Sequence, residues 1–371
     1  HLERFTERIM IDGEPIADAA VADAWDEIAP IVALVDGELD GKGEPPLTFF
    51  ELLTVLAFVS FADAPVDVAV IEVGMGGAWD STNTADGDVA VFAPIDIDHA
   101  DKLGDTIAEI ATVKAGIIKP NAAAVSAAQQ PAALSVLTTA ARAQGASLAV
   151  EGEQFGLLDQ KLAVGGQLLT VRGLAATYEE LYLPLYGAHQ GRNAALAIAA
   201  VESLIGGGTQ PIAPDVLADG LGAATSPGRL QLVGVAPTVL VDSAHNPHGA
   251  RSLVAALGES FDFDEWGLVL GAFADKDVAG IVGTLAPAVA HVFATAPESD
   301  RAEEPDAVAD LVEQTETPVT VHRDLAEAAE AARAWAAASD RRAVVIAGSV
   351  VLAGEAVVLA EAEDWKSGYE S

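Results

Sequence analysis

Apolar runs of strand length alternate along this chain with alanine-rich stretches of helical length. Such alternation predicts parallel sheets joined by crossover helices. VDVAVIEV (66–73) and DVAVFAPID (88–96) read as consecutive buried strands, and GDTIAEIATVKAGI (104–117) reads as a helix with Thr106 and Glu109 at capping-box spacing. Residues 151–187 are richer in Gly, Leu, Tyr and short polar breaks, and predict a small antiparallel excursion before helix returns over GRNAALAIAAVESL (191–204). A second series starts at TVLVDSAHNPHGARSLVAAL (238–257) and continues through WGLVLGAFADKD (266–277), HVFATA (291–296) and AVVIAGSVVLAGEAV (343–357). Each of these is a strand breaking into a turn and then a helix, the place where ligands sit in open parallel sheets. TSPGRLQLVGVAP (225–237) lies between the two series and reads as a hinge, which divides the chain into domains 1–228 and 229–371.

Length supports that division, since 371 residues exceed one ordinary core. Charge narrows the class further. Fifty-six acidic residues stand against 19 basic ones, for a net charge of −37. Such a surface repels nucleic acid and anionic membrane, and its self-repulsion needs salt to screen it, so the expected setting is a high-salt cytoplasm. Cysteine is absent, which excludes disulfides and thiolate metal sites. No apolar run approaches the roughly 18 residues of a membrane span, and no leader pattern is visible. A soluble, halophilic, cytoplasmic protein is expected.

Candidate chemistry gathers at the strand ends. Glu72 closes the run 66–73 and is followed at once by Gly74, Gly76 and Gly77, where a backbone can approach a ligand. A carboxylate there suits a hard cation such as Mg²⁺, and His99 in DIDHAD falls at the same predicted edge. The same two residues would equally serve as an amide-capping acid and a carbonyl-bonded histidine. Counted from Ile107, Ile110 falls at i+3 and Lys114 at i+7, which puts an ammonium on the apolar stripe of its helix. Carbamylation would turn it into an anionic metal ligand; snorkelling, or an ion pair with Glu72, would also relieve it. In VLVDSAHNPHG a strand ends at Asp242 and a turn carries His245 and Asn246 before Pro247 starts a helix. An acid so placed can accept hydrogen bonds from a ribose, and the histidine face can stack on a base, though an N-cap explains the same pattern. Arg229 in the hinge can reach a phosphate. Asn193 opens a helix whose N-terminus suits an anion. GELDGKGEPP (37–46) fails the phosphate-loop spacing and reads as a loop.

Taken together, HLERFTERIMIDGEPI, LTFFE, EVGMGGAWDSTN, DHADKLGDTIAEIATVKAGIIKP, GAHQGRNAALA, SPGRLQLV, DSAHNPHGA, GAFADKD and AGSVVLAGE resemble, in order and nearly end to end, the folylpolyglutamate synthase/dihydrofolate synthase family of the ATP-dependent Mur-type ligases. The resemblance implies a Mur-ligase-type ATPase domain followed by a Rossmann-like domain. It also implies transfer of phosphate from ATP to a dihydropteroate or folate carboxylate, then attack by L-glutamate on the acyl phosphate. By the same resemblance Glu72 and His99 bind Mg²⁺, with K⁺ a further candidate cation, and Lys114 is the carbamylated lysine. Asn193, Arg229 and Asp242 contact ATP with His245 beside the nucleotide, and Thr48, Trp79 and Asp80 line the pterin site. A monomer without nucleic-acid or membrane partners is expected. The family usually has Arg where Ala78 stands and Glu where Val113 stands, and its members begin with a strand and a GTNGKGS phosphate loop ahead of the His-Leu that opens this sequence. Two rivals share parts of the pattern: a Mur-type peptide ligase acting on a cell-wall precursor, and a non-catalytic folate- or nucleotide-binding remnant without the phosphate loop.

Overall fold

The chain begins with a single 3₁₀ turn and a two-stranded ribbon, β1 (Met10–Ile11) against β2 (Glu14–Pro15), then forms a helical hairpin of α1 (Asp18–Lys42) and α2 (Phe49–Asp63). This computed structural model describes residues 1–97, 100–163 and 165–366. The hairpin has its own small core, in which Ile9 and Ile16 meet Ala24, Ile28, Leu53 and Leu56. Its second helix starts at a full capping box: Thr48 Oγ accepts from the Glu51 amide while the Glu51 carboxylate accepts from the Thr48 amide. The segment 37–42, read from its glycines as a loop, is the last part of α1, which stops one residue later at Gly43 in the left-handed region.

Three parallel strands follow, β3 (Val89–Phe92), β4 (Ala123–Ser126) and β5 (Ser147–Val150), in that spatial order. Their crossovers are α3 (Ala100–Leu103), α4 (Ile107–Lys114) and α5 (Pro131–Gln144). The Thr106–Glu109 capping box forms as the spacing predicts, and Ile110 and Ala111 of α4 are fully buried. The predicted strand 66–73 does not form. No described strand pairs with it, and two of its apolar residues are open, Val68 at 58% and Val70 at 92% exposure. β6 (Gly156–Ala163), β7 (Gly166–Arg172) and β8 (Thr177–Leu183) then make the expected antiparallel excursion, closed by α6 (Ala188–Gly206) and α7 (Pro214–Gly222).

Beyond residue 225 comes a six-stranded sheet of β9 (Gln231–Val235), β10 (Thr238–Val241), β11 (Glu265–Leu270), β12 (His291–Ala294), β13 (Val319–Val321) and β14 (Arg342–Ala347). The spatial order is β13-β12-β11-β14-β10-β9. All pairs are parallel except β9 with β10, so part of the predicted hinge is an edge strand of this sheet. Helices α8 (Pro247–Ser260), α9 (Val278–Leu285) and α10 (Pro305–Glu313) cover one face; α11 (Leu325–Ala336) and α12 (Val350–Ala362) cover the other. Because both faces are covered, the strands are near-continuous apolar runs instead of alternating ones, as in Leu268, Val269 and Leu270, all at 0% exposure. No helix among the described residues is long and apolar enough to cross a membrane.

Candidate active site

Where β10 ends, the sequence Asp242-Ser243-Ala244 stays buried and turns into α8. Asp242 Oδ1 accepts from the Ala244 amide at 2.9 Å, and its Oδ2 accepts from the Leu230 amide at 3.0 Å. The second bond fastens the turn 226–231 onto the strand end. Ser243 reinforces it, since its amide and its hydroxyl both donate to the Gly228 carbonyl, at 2.7 and 2.8 Å. Leu230 is held at φ 46, a conformation a leucine keeps only when its neighbours over-determine it. Arg229, between these two fixed residues, stays exposed.

This arrangement opens a cavity of about 220 Å³ whose wall includes Arg229, Asp242, His245 and His189. The Asn246 side chain accepts from the Gly249 amide and caps α8, with Pro247 in its first turn as the sequence predicts. His245 Nδ1 donates to the Ser243 carbonyl at 2.9 Å, which leaves Nε2 as the nitrogen with a free lone pair. Burial raises the Asp242 carboxyl above its usual range despite its two backbone donors and the nearby Arg229 and His189. His189 lines the same cavity; partial desolvation, opposed by Asp242 and reinforced by Arg229, keeps its imidazole below the ordinary value of 6.5. Neither His189 nor Gln190 stood out in the sequence reading. The available signal was a histidine two residues after Gly187, at the first turn of a helix. Asn193 lies on the same helix, exposed, its amide donating to Gln190 Oε1 at 3.2 Å, and is not among the cavity-lining residues.

The second group of candidates meets around residues 72–84. Glu72 is exposed, not buried as a strand-end acid would be, and among the described residues its carboxylate has no hydrogen-bond or ion-pair partner. Behind it the glycine loop is pressed against two elements. The ring of Phe50, from α2, occupies the space a side chain at Gly74 would need; a Cβ at Gly77 would fall 2.8 Å from the Lys114 carbonyl oxygen. The Ala78 amide donates to the Val113 carbonyl at 2.9 Å. Lys114, half-buried at the end of α4, therefore backs the same loop that Glu72 leads into, and no ion pair joins the two. Asp80 is buried and saturates that loop from inside, accepting from the Met75 amide and from the Thr82 amide and hydroxyl. Trp79 is exposed beside it at 57%, and Thr48 lies in the cap that starts α2. His99 lies outside the described residues. Among the described residues no group of three His, Cys, Asp or Glu side chains is placed to hold a metal.

The class to which this α/β architecture belongs, the Mur-type ligases, is shown by two family matches. Residues 19–201 match the Mur ligase middle domain and residues 228–350 the Mur ligase glutamate ligase domain. The dihydrofolate synthase/folylpolyglutamate synthase of Mycobacterium tuberculosis is 44% identical over 382 residues, covering 97% of this chain and 78% of the relative. A probable bifunctional folylpolyglutamate synthase/dihydropteroate synthase of Haloferax volcanii is 35% identical over 367 residues, 96% of this chain but 41% of that longer protein. Among solved structures, the M. tuberculosis folylpolyglutamate synthase complexed with ADP and AMPPCP superposes with a TM-score of 0.89 at 44% identity, covering 97% of this chain and 83% of that one. E. coli FolC in complex with DHPP and ADP gives 0.80 at 28% identity, over 98% and 81%. The chain belongs to the folylpolyglutamate synthase/dihydrofolate synthase family.

Proposed function

We propose that this protein is an ATP-dependent acid–amino-acid ligase that joins L-glutamate to dihydropteroate, to a reduced folate, or to both. The observation that carries the reading is the turn pinned by Asp242, which offers Arg229 and the free Nε2 of His245 to one cavity in a chain whose relatives are solved with adenine nucleotides. Asp242 already accepts two amide bonds, yet each carboxylate oxygen retains a lone pair for a ribose hydroxyl. Arg229 supplies a positive partner for phosphate, and Asn193 lies in the first turns of α6, where the helix end favours an anion. Thr48, Trp79 and Asp80 belong to the pterin side; of these Trp79 offers an open ring face, while Thr48 and Asp80 position backbone. The boundary between the two working domains falls at 228/229.

The acceptor carboxylate attacks the terminal phosphorus of ATP and ADP leaves; the glutamate amine then attacks the acyl carbon and phosphate departs with formation of the amide. Glu72 fits Mg²⁺ in being a hard, unpaired carboxylate at a backbone-lined opening, with His99 as its companion and K⁺ as a further cation. When bound, such an ion neutralises charge on the phosphate oxygens. As its carbamate, Lys114 would add an anionic oxygen ligand for that ion. A monomer in the cytoplasm completes the reading.

The test is amide formation by the full-length protein in molar KCl with ATP, L-glutamate and each acceptor in turn. Lys114→Ala should retain ADP binding and lose turnover. Undiminished turnover in that variant would remove Lys114 from the mechanism, and no product with either acceptor would remove the ligase reading.

A further inference from the structure

The first nine residues have their two ends in different cores. Leu2 packs against the core formed by Val233, Val241, Leu352, Ala353 and their neighbours beyond residue 229, whereas Ile9 is buried in the α1–α2 hairpin. Between them one side chain gathers three backbone amides. The Glu7 carboxylate accepts the amides of Leu2 (2.6 Å), Glu3 (3.1 Å) and Arg4 (2.6 Å), so this stretch has a fixed shape. Those bonds keep the Glu7 carboxyl below its usual range although partial desolvation acts the other way.

Leu2 is delivered into a socket made by two glycines. A Cβ on Gly228 would lie 3.0 Å from Leu2 Cδ1 and 3.3 Å from Cδ2; one on Gly354 would lie 2.5 Å from the Leu2 carbonyl oxygen. Gly228 is at φ 67, and its carbonyl is the acceptor that ties the turn to Ser243. At its other end the segment meets the start of α2, which in turn packs on the glycine loop. Phe5 meets Phe49 edge-on at 5.9 Å, the Arg8 guanidinium lies 5.4 Å from the Phe49 ring centre, and the adjacent Phe50 fills the space over Gly74.

We propose that residues 2–7 form a strap in which Leu2 is a positioning residue: seated between Gly228 and Gly354, it holds the Arg229 turn against the end of β10 and links the nucleotide cavity to the loop that follows Glu72. The turn's residues 226–229 belong to no helix or strand, so its position rests on the Asp242 and Ser243 hydrogen bonds on one side and on Leu2 on the other. Only the consequence for nucleotide rests on the ligase reading; the mechanical part does not.

Hydrogen exchange and ADP titration separate the two. In Leu2→Ala, and in Gly354→Ala where the added methyl would displace the Leu2 carbonyl, the Leu230 and Ser243 amides should exchange about tenfold faster or more while β11 amides keep their rates. ADP should bind about tenfold more weakly, and Leu2→Met should restore both properties. Unchanged exchange at the two amides in both variants overturns the strap, as does an increase shared equally by β11. Faster exchange with ADP affinity unaltered overturns its positioning role. If the two amides respond but the parent protein binds no ADP, the strap stands and the proposed function falls.

Discussion

Asp242 shows how one buried carboxylate sets the geometry of a site. Its raised pKa means that folding favours the neutral carboxyl: that stabilising contribution is fully present below the ordinary value of 3.8 and is lost as pH rises through the folded value. The ionised form is kept because it satisfies two buried amides at once. Asp242→Asn relieves the charge but has one acceptor oxygen for two donors, so an N–H is left unmet and the protein should lose about 1–3 kcal/mol of stability. A melting temperature equal to the parent's would show that the turn finds another acceptor. His189 behaves in the opposite sense. Its folded pKa lies below 6.5, so its contribution is intact above that value and is lost as pH falls through the folded value. His189→Gln should therefore lose less stability than the parent between about pH 7 and pH 5. Parallel melting profiles across that window would mean that His189 is solvated like a free histidine.

At the scale of elements, the packed glycine loop is the part most sensitive to small displacement. Gly77→Ala drives a methyl toward the Lys114 and Val113 carbonyls, both within 2.9 Å, so the loop must lift away from α4. Turnover should fall by about a hundredfold while the melting temperature barely moves, because a shift near 1 Å damages alignment more than burial. Full turnover with the methyl in place would mean that the loop does not meet the reacting groups. The capping box at Thr106 and Glu109, the proline start of α8 and the strand–turn–helix repeats beyond residue 238 were all legible, since each is decided by residues close in sequence. The run 66–73 was misread for the complementary reason: hydrophobicity reports a wish for burial, but a strand also needs a partner, and none of the described strands supplies one. Likewise 37–42 is helical because α1 is anchored upstream by Ala24 and Ile28, which outweighs the roughly 1 kcal/mol that each glycine costs. His189 escaped notice because its significance depends on Asp242 and Arg229, which only the fold brings near.

For the molecule as a whole, the net charge of −37 sets the balance of forces. The arginines that form ion pairs are mostly exposed, as in Arg341 with Asp262 and Asp264 or Arg323 with Glu327, and such solvated pairs add little to stability. Added salt weakens these pairs and the carboxylate repulsion alike, but with 56 acids and 19 bases the repulsion is far the larger sum. Shortening the screening length from about 10 Å at 0.1 M to about 3 Å at 1 M should therefore raise the melting temperature, by on the order of 10 °C. Salt that merely strengthened apolar burial would give a similar rise, so pH must separate the two causes. Near pH 4.5 many carboxylates are protonated and the repulsion is already relieved. A screening mechanism predicts a much smaller KCl increment there than at pH 7.5, whereas enhanced burial predicts the same increment at both. Equal increments would locate the salt dependence in the core instead of the surface, and a flat response at pH 7.5 would show that the fold carries its charge without help.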